Sequence, residues 1–146
     1  MRNQLNSLFL AALACALPLG ARAQTDVHEQ AAQAYRVEVP EGALHLKAGA
    51  QSQARVAVVP KAGAHVSPDA PISFKLSAGK SIELAKAKLG RPDAKETEAK
   101  GVEFQIPFTG KAAGRDEIKG TLSFFICTAQ LCEQQKKDVS LAVVVE

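Results

Sequence analysis

GVEFQIPFTG, residues 101–110, sets how the rest of the chain is read. Val102, Phe104, Ile106 and Phe108 alternate with Glu103, Gln105, Pro107 and Thr109 without a break. Successive side chains of a strand point to opposite faces, so this stretch lays one face on a core and leaves the other in water. The alternation recurs on both sides of it. Upstream stand Val37 and Val39, Leu44 and Leu46, Val56 and Val58, then Ile72, Phe74 and Leu76. Downstream come Leu122, Phe124 and Ile126, then Val139, Leu141, Val143 and Val145. Turn residues separate the runs at Pro40-Glu41-Gly42, Pro60-Lys61-Ala62-Gly63, Ser67-Pro68-Asp69, Ala78-Gly79-Lys80 and Gly110 to Gly114. About seven or eight short strands with frequent turns predict an all-β fold, an immunoglobulin-like antiparallel β-sandwich. Ala85 to Lys100 breaks the period; it is charged, contains Gly90-Arg91-Pro92-Asp93, and reads as a long loop or a short helical excursion.

The amino-terminal end has a different composition. Arg2, an apolar run from Leu5 to Leu19 and the small-x-small site Ala21-Arg22-Ala23 describe a secretory signal peptide over residues 1–23. The run is too short for a bilayer span once Pro18 and Gly20 interrupt it. A rival lipoprotein site at Cys15 is disfavoured because apolar residues continue past it. Residues 24–34 then read as a polar leader and 35–146 as the domain. The expected location is the periplasm, or secretion, after cleavage near Ala23. Loss of Arg2 and Arg22 leaves 16 basic against 15 acidic residues, a net charge of about +1. Such a balance lacks the concentrated basic face of a nucleic-acid binder. No later apolar run is long enough for a transmembrane span.

Motifs that carry chemistry are few. His28 lies in the leader, His45 on the polar side of a strand and His65 in a turn-rich loop; each reads as a solvated side chain. No His-x-x-x-His pair or further cysteine supports zinc, and neither a metal nor a cofactor is expected. A copper site from the cysteine pair and His65 stays a minor alternative. Nucleophile-elbow and phosphate-loop motifs are absent.

What remains is FFICTAQLCEQQKK, residues 124–137. Cys127 and Cys132 are the only cysteines left after cleavage, and export predicts that they bond to each other. Alternation puts Cys127 on the face opposite Leu122, Phe124 and Ile126, and Thr128 to Leu131 must turn the chain back. In the chain-entropy model a ring of about six residues stabilises by only ~2 kcal/mol, a poor staple. Redox exchange asks for two close sulfurs with one accessible, which a strand tip can offer. Lys136 and Lys137 would lower a thiol pKa if brought near, and Glu133 would raise it. Spacing alone leaves a structural bridge, a redox pair and a metal grip open.

The segment from Ile118 through Cys127 and Cys132 to the closing Val-rich strand resembles the N-terminal periplasmic domain of the thiol:disulfide interchange protein DsbD. Residues 62–76 look like that family's loop and following strand, and 101–109 like its middle strand. The resemblance implies an immunoglobulin-like domain whose pair, here Cys127 and Cys132, passes electrons by thiol–disulfide exchange. Its implied partners are a membrane thiol-disulfide protein and exported thioredoxin-like proteins. This chain departs from the family in three ways. Four residues rather than five separate the cysteines, Glu133-Gln134-Gln135 follows where the family has Tyr-Pro-Pro, and Arg91 to Glu96 lacks the aromatic of the family's cap. The competing expectation is a non-catalytic interaction module with a structural hairpin-tip disulfide.

Overall fold

The computed structural model describes residues 21–146. The expected signal run and Cys15 therefore lie outside the described residues. In chain order the elements are helix α1 (Ala21–Gln33) and strands β1 (Tyr35–Glu38), β2 (Leu44–Leu46), β3 (Gln51–Pro60), β4 (His65–Val66), β5 (Ser73–Ala78), β6 (Ile82–Leu84), β7 (Lys88–Gly90), β8 (Ala94–Glu96), β9 (Val102–Gly110), β10 (Gly114–Cys127) and β11 (Cys132–Val145). They form an immunoglobulin-like β-sandwich. One sheet runs β1-β3-β9-β6 with β8 also on β9; the other runs β2-β11-β10-β5-β7 with β4 on β10. Every pairing is antiparallel except that of β2 with β11, which is parallel, so the second sheet is mixed.

The apolar stripes meet where alternation places them. Val102, Phe104, Ile106 and Phe108 are buried from the first sheet, and Phe74, Ile118, Leu122, Phe124 and Leu141 from the second. Phe74 and Phe104 close the gap between sheets edge to face, with ring centroids 5.6 Å apart, a geometry aromatic pairs favour. Gly120 lies between Leu76 and Val139 in register, and a Cβ there would come within 2.3 Å of the Phe74 ring. The core therefore requires a glycine at that point.

Three stretches carry more regular structure than the hydropathy pattern conveys. Most of residues 24–34, the polar leader, belongs to α1, which spans Ala21–Gln33, and its Ala31 is buried in the core. The stretch 85–100 forms β7, a 3-10 turn at Arg91–Asp93 and β8. Pro92 suits the start of that turn, and the Asp93 carboxylate accepts from the Gly90 amide and pairs with Lys86. Finally, β10 and β11 have 14 residues each and pair without a bulge from Gly114↔Val145 to Cys127↔Cys132. Lys136 and Lys137 therefore lie inside β11, four and five residues past Cys132.

Candidate functional site: the disulfide hairpin tip

Cys127 ends β10 and Cys132 begins β11; they are direct cross-strand partners, bonded to each other with Cα atoms 4.0 Å apart. Between them the chain reverses tightly. The Thr128 amide donates to the Leu131 carbonyl at 2.8 Å, and the Thr128 hydroxyl accepts from the Gln130 and Leu131 amides. Threonine suits this position because its hydroxyl can satisfy turn amides that have no strand partner.

The two cysteines differ in access. Cys127 is off the core stripe, as alternation predicts, but only 3% of it is exposed. Cys132 is exposed. Cys132 is therefore the more accessible residue of the bonded pair.

The charged neighbours are not those the sequence suggests. Register puts Lys136 on the face of Cys132 but four residues along the strand, roughly 13 Å away at the rise of a strand. Lys137 lies on the core face with its Nζ 5.8 Å from the centre of the Tyr35 ring. Glu133 is also on the core face, opposite Ile126, where one carboxylate oxygen meets His28 Nδ1 and the other is buried without a partner. None of these side chains stands over the sulfurs. His65 does stand beside the pair: β4 places it directly across from Cys127, in register, on the side away from Cys132. Alternation and register put both side chains on the sheet's outer face. An imidazole thus stands on the strand position next to the buried cysteine. In the sequence His65 showed no sign of this, because the pairing joins residues far apart in the chain.

His65 also lines a cavity of about 300 Å³ with Arg91, Glu96 and Lys100. The Arg91 guanidinium donates to the Ser67 and Ala70 carbonyls, both at 2.7 Å, and so pins the loop after β4. The stretch Arg91 to Glu96, matched in sequence to the family's cap, thus lies near His65 and contributes charge rather than an aromatic cover.

On the other side of the tip, Tyr35 packs edge to face on Phe124 at 4.9 Å, and its hydroxyl donates to the Gln135 side chain at 3.1 Å. Burial pushes the Tyr35 phenol pKa up. Among the described residues, no group of three or more His, Cys, Asp or Glu side chains is placed to hold a metal ion. No helix among them is long and apolar enough to cross a membrane.

No family model and no curated protein matches the chain. Solved structures do show likeness in shape. Trypsin-activated alpha-2-macroglobulin from Escherichia coli aligns at 15% identity and TM-score 0.47, over 75% of this chain and 7% of that one. AggA, the major subunit of an Escherichia coli aggregative adherence fimbria, aligns at 10% identity and TM-score 0.45, over 77% and 94%. A PapD-like domain of human CEP192 aligns at 7% identity and TM-score 0.36, over 97% and 98%. This chain thus spans a small fraction of the macroglobulin's length. At these scores the fold rests on the strand order and register of this chain itself.

Proposed function

We propose that this protein is an exported thiol–disulfide exchange domain of the DsbD N-terminal type, working through Cys127 and Cys132. The observation that carries this reading is the unequal access within one bond: Cys132 exposed, Cys127 buried beside His65. In the reducing direction a partner thiolate attacks Cys132 Sγ and a mixed disulfide forms. The Cys127–Cys132 bond breaks with its electron pair on Cys127 Sγ, and a proton completes the thiol. A second partner thiol then attacks the mixed disulfide, so the partner is oxidised by two electrons and the pair here is reduced. Run in reverse, the same steps deliver those electrons to a thioredoxin-like or membrane thiol-disulfide protein. Residues 1–23, read as a signal peptide, would place the pair in a compartment where such exchange occurs.

The short ring also supports this reading, since a bridge across two strands already held in unbroken register adds little restraint. The test is equilibration with a dithiothreitol or glutathione buffer. A structural disulfide lies below about −300 mV, whereas a working pair lies nearer its exchange partners. We expect the moderate value, and Cys127→Ser should trap a partner through Cys132. A potential below that threshold with no trapped partner would leave the non-catalytic interaction module as the description.

A further inference from the structure

The second sheet has an edge that no described strand completes. At the carboxyl end of the chain, the Glu146 amide donates to the Leu46 carbonyl at 2.9 Å, and the Ala48 amide donates to the Glu146 carbonyl at 2.8 Å. Glu146 therefore aims its peptide groups at β2. Peptide groups alternate sides along a strand, and the β10–β11 register is unbroken. Ala142, Ser140, Asp138, Lys136, Gln134 and Cys132 accordingly aim their N–H and C=O groups to that same side. Yet β2 pairs only with Val143 to Val145. Among the described residues, no backbone bond from another element reaches this edge from Cys132 to Ala142. Helix α1 approaches β11 through the His28–Glu133 contact, and Glu133 belongs to the core face. The last edge-facing residue, at the tip, is the exposed cysteine.

We propose that the exchange partner docks here: an extended, cysteine-bearing segment adds to β11 as an antiparallel strand and delivers its sulfur to Cys132. This rests on the exchange reading above and names how its partner is recognised. The strand β2 already occupies the far end of the same edge, so the edge is competent to take a strand. Geometry selects the antiparallel orientation. There, residues directly opposite in a hydrogen-bonded pair have Cα atoms about 5.5 Å apart, inside the roughly 4.4–6.8 Å that a disulfide spans. Cys132 is edge-facing and so would form such a pair with the partner's cysteine.

Charge fixes a second position. Partner residues opposite Cys132, Gln134 and Lys136 share the outer face of the sheet. Lys136 stands there at the end of the row Ser73, Ser123, Lys136. Lys136, Lys75 and Lys88 on this face make no ion pair with any described residue. The first sheet differs, since its outer face ties Arg36, Glu38, Arg55 and Glu103 into one ion-paired chain. In an antiparallel strand the residue opposite Lys136 is four before the one opposite Cys132. The docked segment therefore carries Asp or Glu four residues before its cysteine.

The test uses the oxidised protein and short synthetic peptides with one cysteine and a glutamate four residues before it. The rate of mixed-disulfide formation at Cys132 is read by mass spectrometry, with glutathione as the small-thiol control. N-methylation of the peptide backbone two residues before its cysteine removes an N–H aimed at the edge; one residue before, it removes an N–H aimed away. We expect the first to slow capture about tenfold, the scale of one or two lost hydrogen bonds, and the second to change it less than about twofold. Lys136→Glu should slow capture of the Glu peptide and speed capture of its Lys counterpart. If all peptides react at the glutathione rate whatever their methylation, the edge proposal falls and the exchange reading stands. If neither glutathione nor any peptide forms a mixed disulfide, both fall.

Discussion

At the base of the β10–β11 hairpin, Val139, Leu141, Val143 and Val145 are buried on the core face; at its tip the same face of the same strand carries Glu133, Gln135 and Lys137. The base is held on both sides, by β2 and by β5. Among the described residues, the tip is flanked on one side by the two residues of β4 and the Ser67 amide, which donates to the Phe125 carbonyl, with α1 and Tyr35 over the polar face. One unbroken register thus joins a region where burial dominates to one where hydrogen bonds, a ring contact and a disulfide share the task. Exchange chemistry needs a pair that can open without unfolding the domain, and a tip of this kind meets that need.

The comparison is broken most directly from the base. Leu141→Ala should cost about 2–5 kcal/mol, because a buried leucine leaves a cavity that strand neighbours cannot fill. Gln135→Ala, six residues closer to the tip on the same face, should cost about 1 kcal/mol, the scale of its single hydrogen bond from Tyr35. Urea midpoints for the two variants check the ratio. Equal losses would mean that the tip is as much core as the base.

Removing the bond itself sharpens the contrast. The double Cys127→Ser, Cys132→Ser variant should still fold and lose ~2 kcal/mol, the value for a short ring in the chain-entropy model. The loss should come with faster amide exchange at Thr128 to Glu133 and unchanged protection at Ile118 to Leu122. A variant that does not fold would make the bond structural.

This contrast also explains what the sequence could convey. The long strands were legible because their inner residues are apolar and period two survives: Val102 to Phe108 and Val139 to Val145 lie where alternation places them. In β11 hydropathy loses the period at Val139, yet the strand runs back to Cys132, because pairing with β10 needs peptide groups and not apolar side chains. With two or three residues each, β4, β7 and β8 are too short to show a period at all. Among the residues of α1 whose burial is described, Ala31 is the one in the core, and a single alanine marks no apolar stripe. At the site, spacing and the export reading were enough to predict the cysteine bond. The His65 neighbour and the distance of Lys136 follow from register, which composition does not encode.

His65→Ala separates function from stability at the tip. The residue is partly exposed and holds no side-chain hydrogen bond among the described residues, so its loss should move stability within about 0.5 kcal/mol. On the exchange reading proposed above, reduction should nonetheless slow about tenfold or more, because the departing Cys127 sulfur loses the imidazole placed across from it. Stopped-flow reduction by dithiothreitol reads the rate, and the urea midpoint reads stability. A parallel drop in both would reassign His65 to holding β4 in place.

The smallest effect belongs to the base, where charge rather than packing is tested. Glu117 and Lys119 pair at 2.7 Å on the outer face, and Ser140 from β11 donates its hydroxyl to the same carboxylate. The Lys119 ammonium first, and the Ser140 hydroxyl second, hold the Glu117 carboxyl below the usual range; Glu117 in turn raises Lys119. A lowered acid contributes stability above its unfolded value, near 4.3, and loses it as pH falls through the folded value. A raised amine contributes below its unfolded value, near 10.4, and loses it as pH rises through the folded value. Between those limits the pair's contribution is flat. Glu117→Gln should therefore lower the thermal midpoint slightly and evenly from pH 5 to 9, roughly the flat window. The gap from the parent should close as acid protonates the parent's carboxylate. High salt should shrink the gap at neutral pH, since both groups are exposed and screened. A gap that persists once the parent's carboxylate is protonated would assign the effect to the altered Ser140 contact rather than to charge.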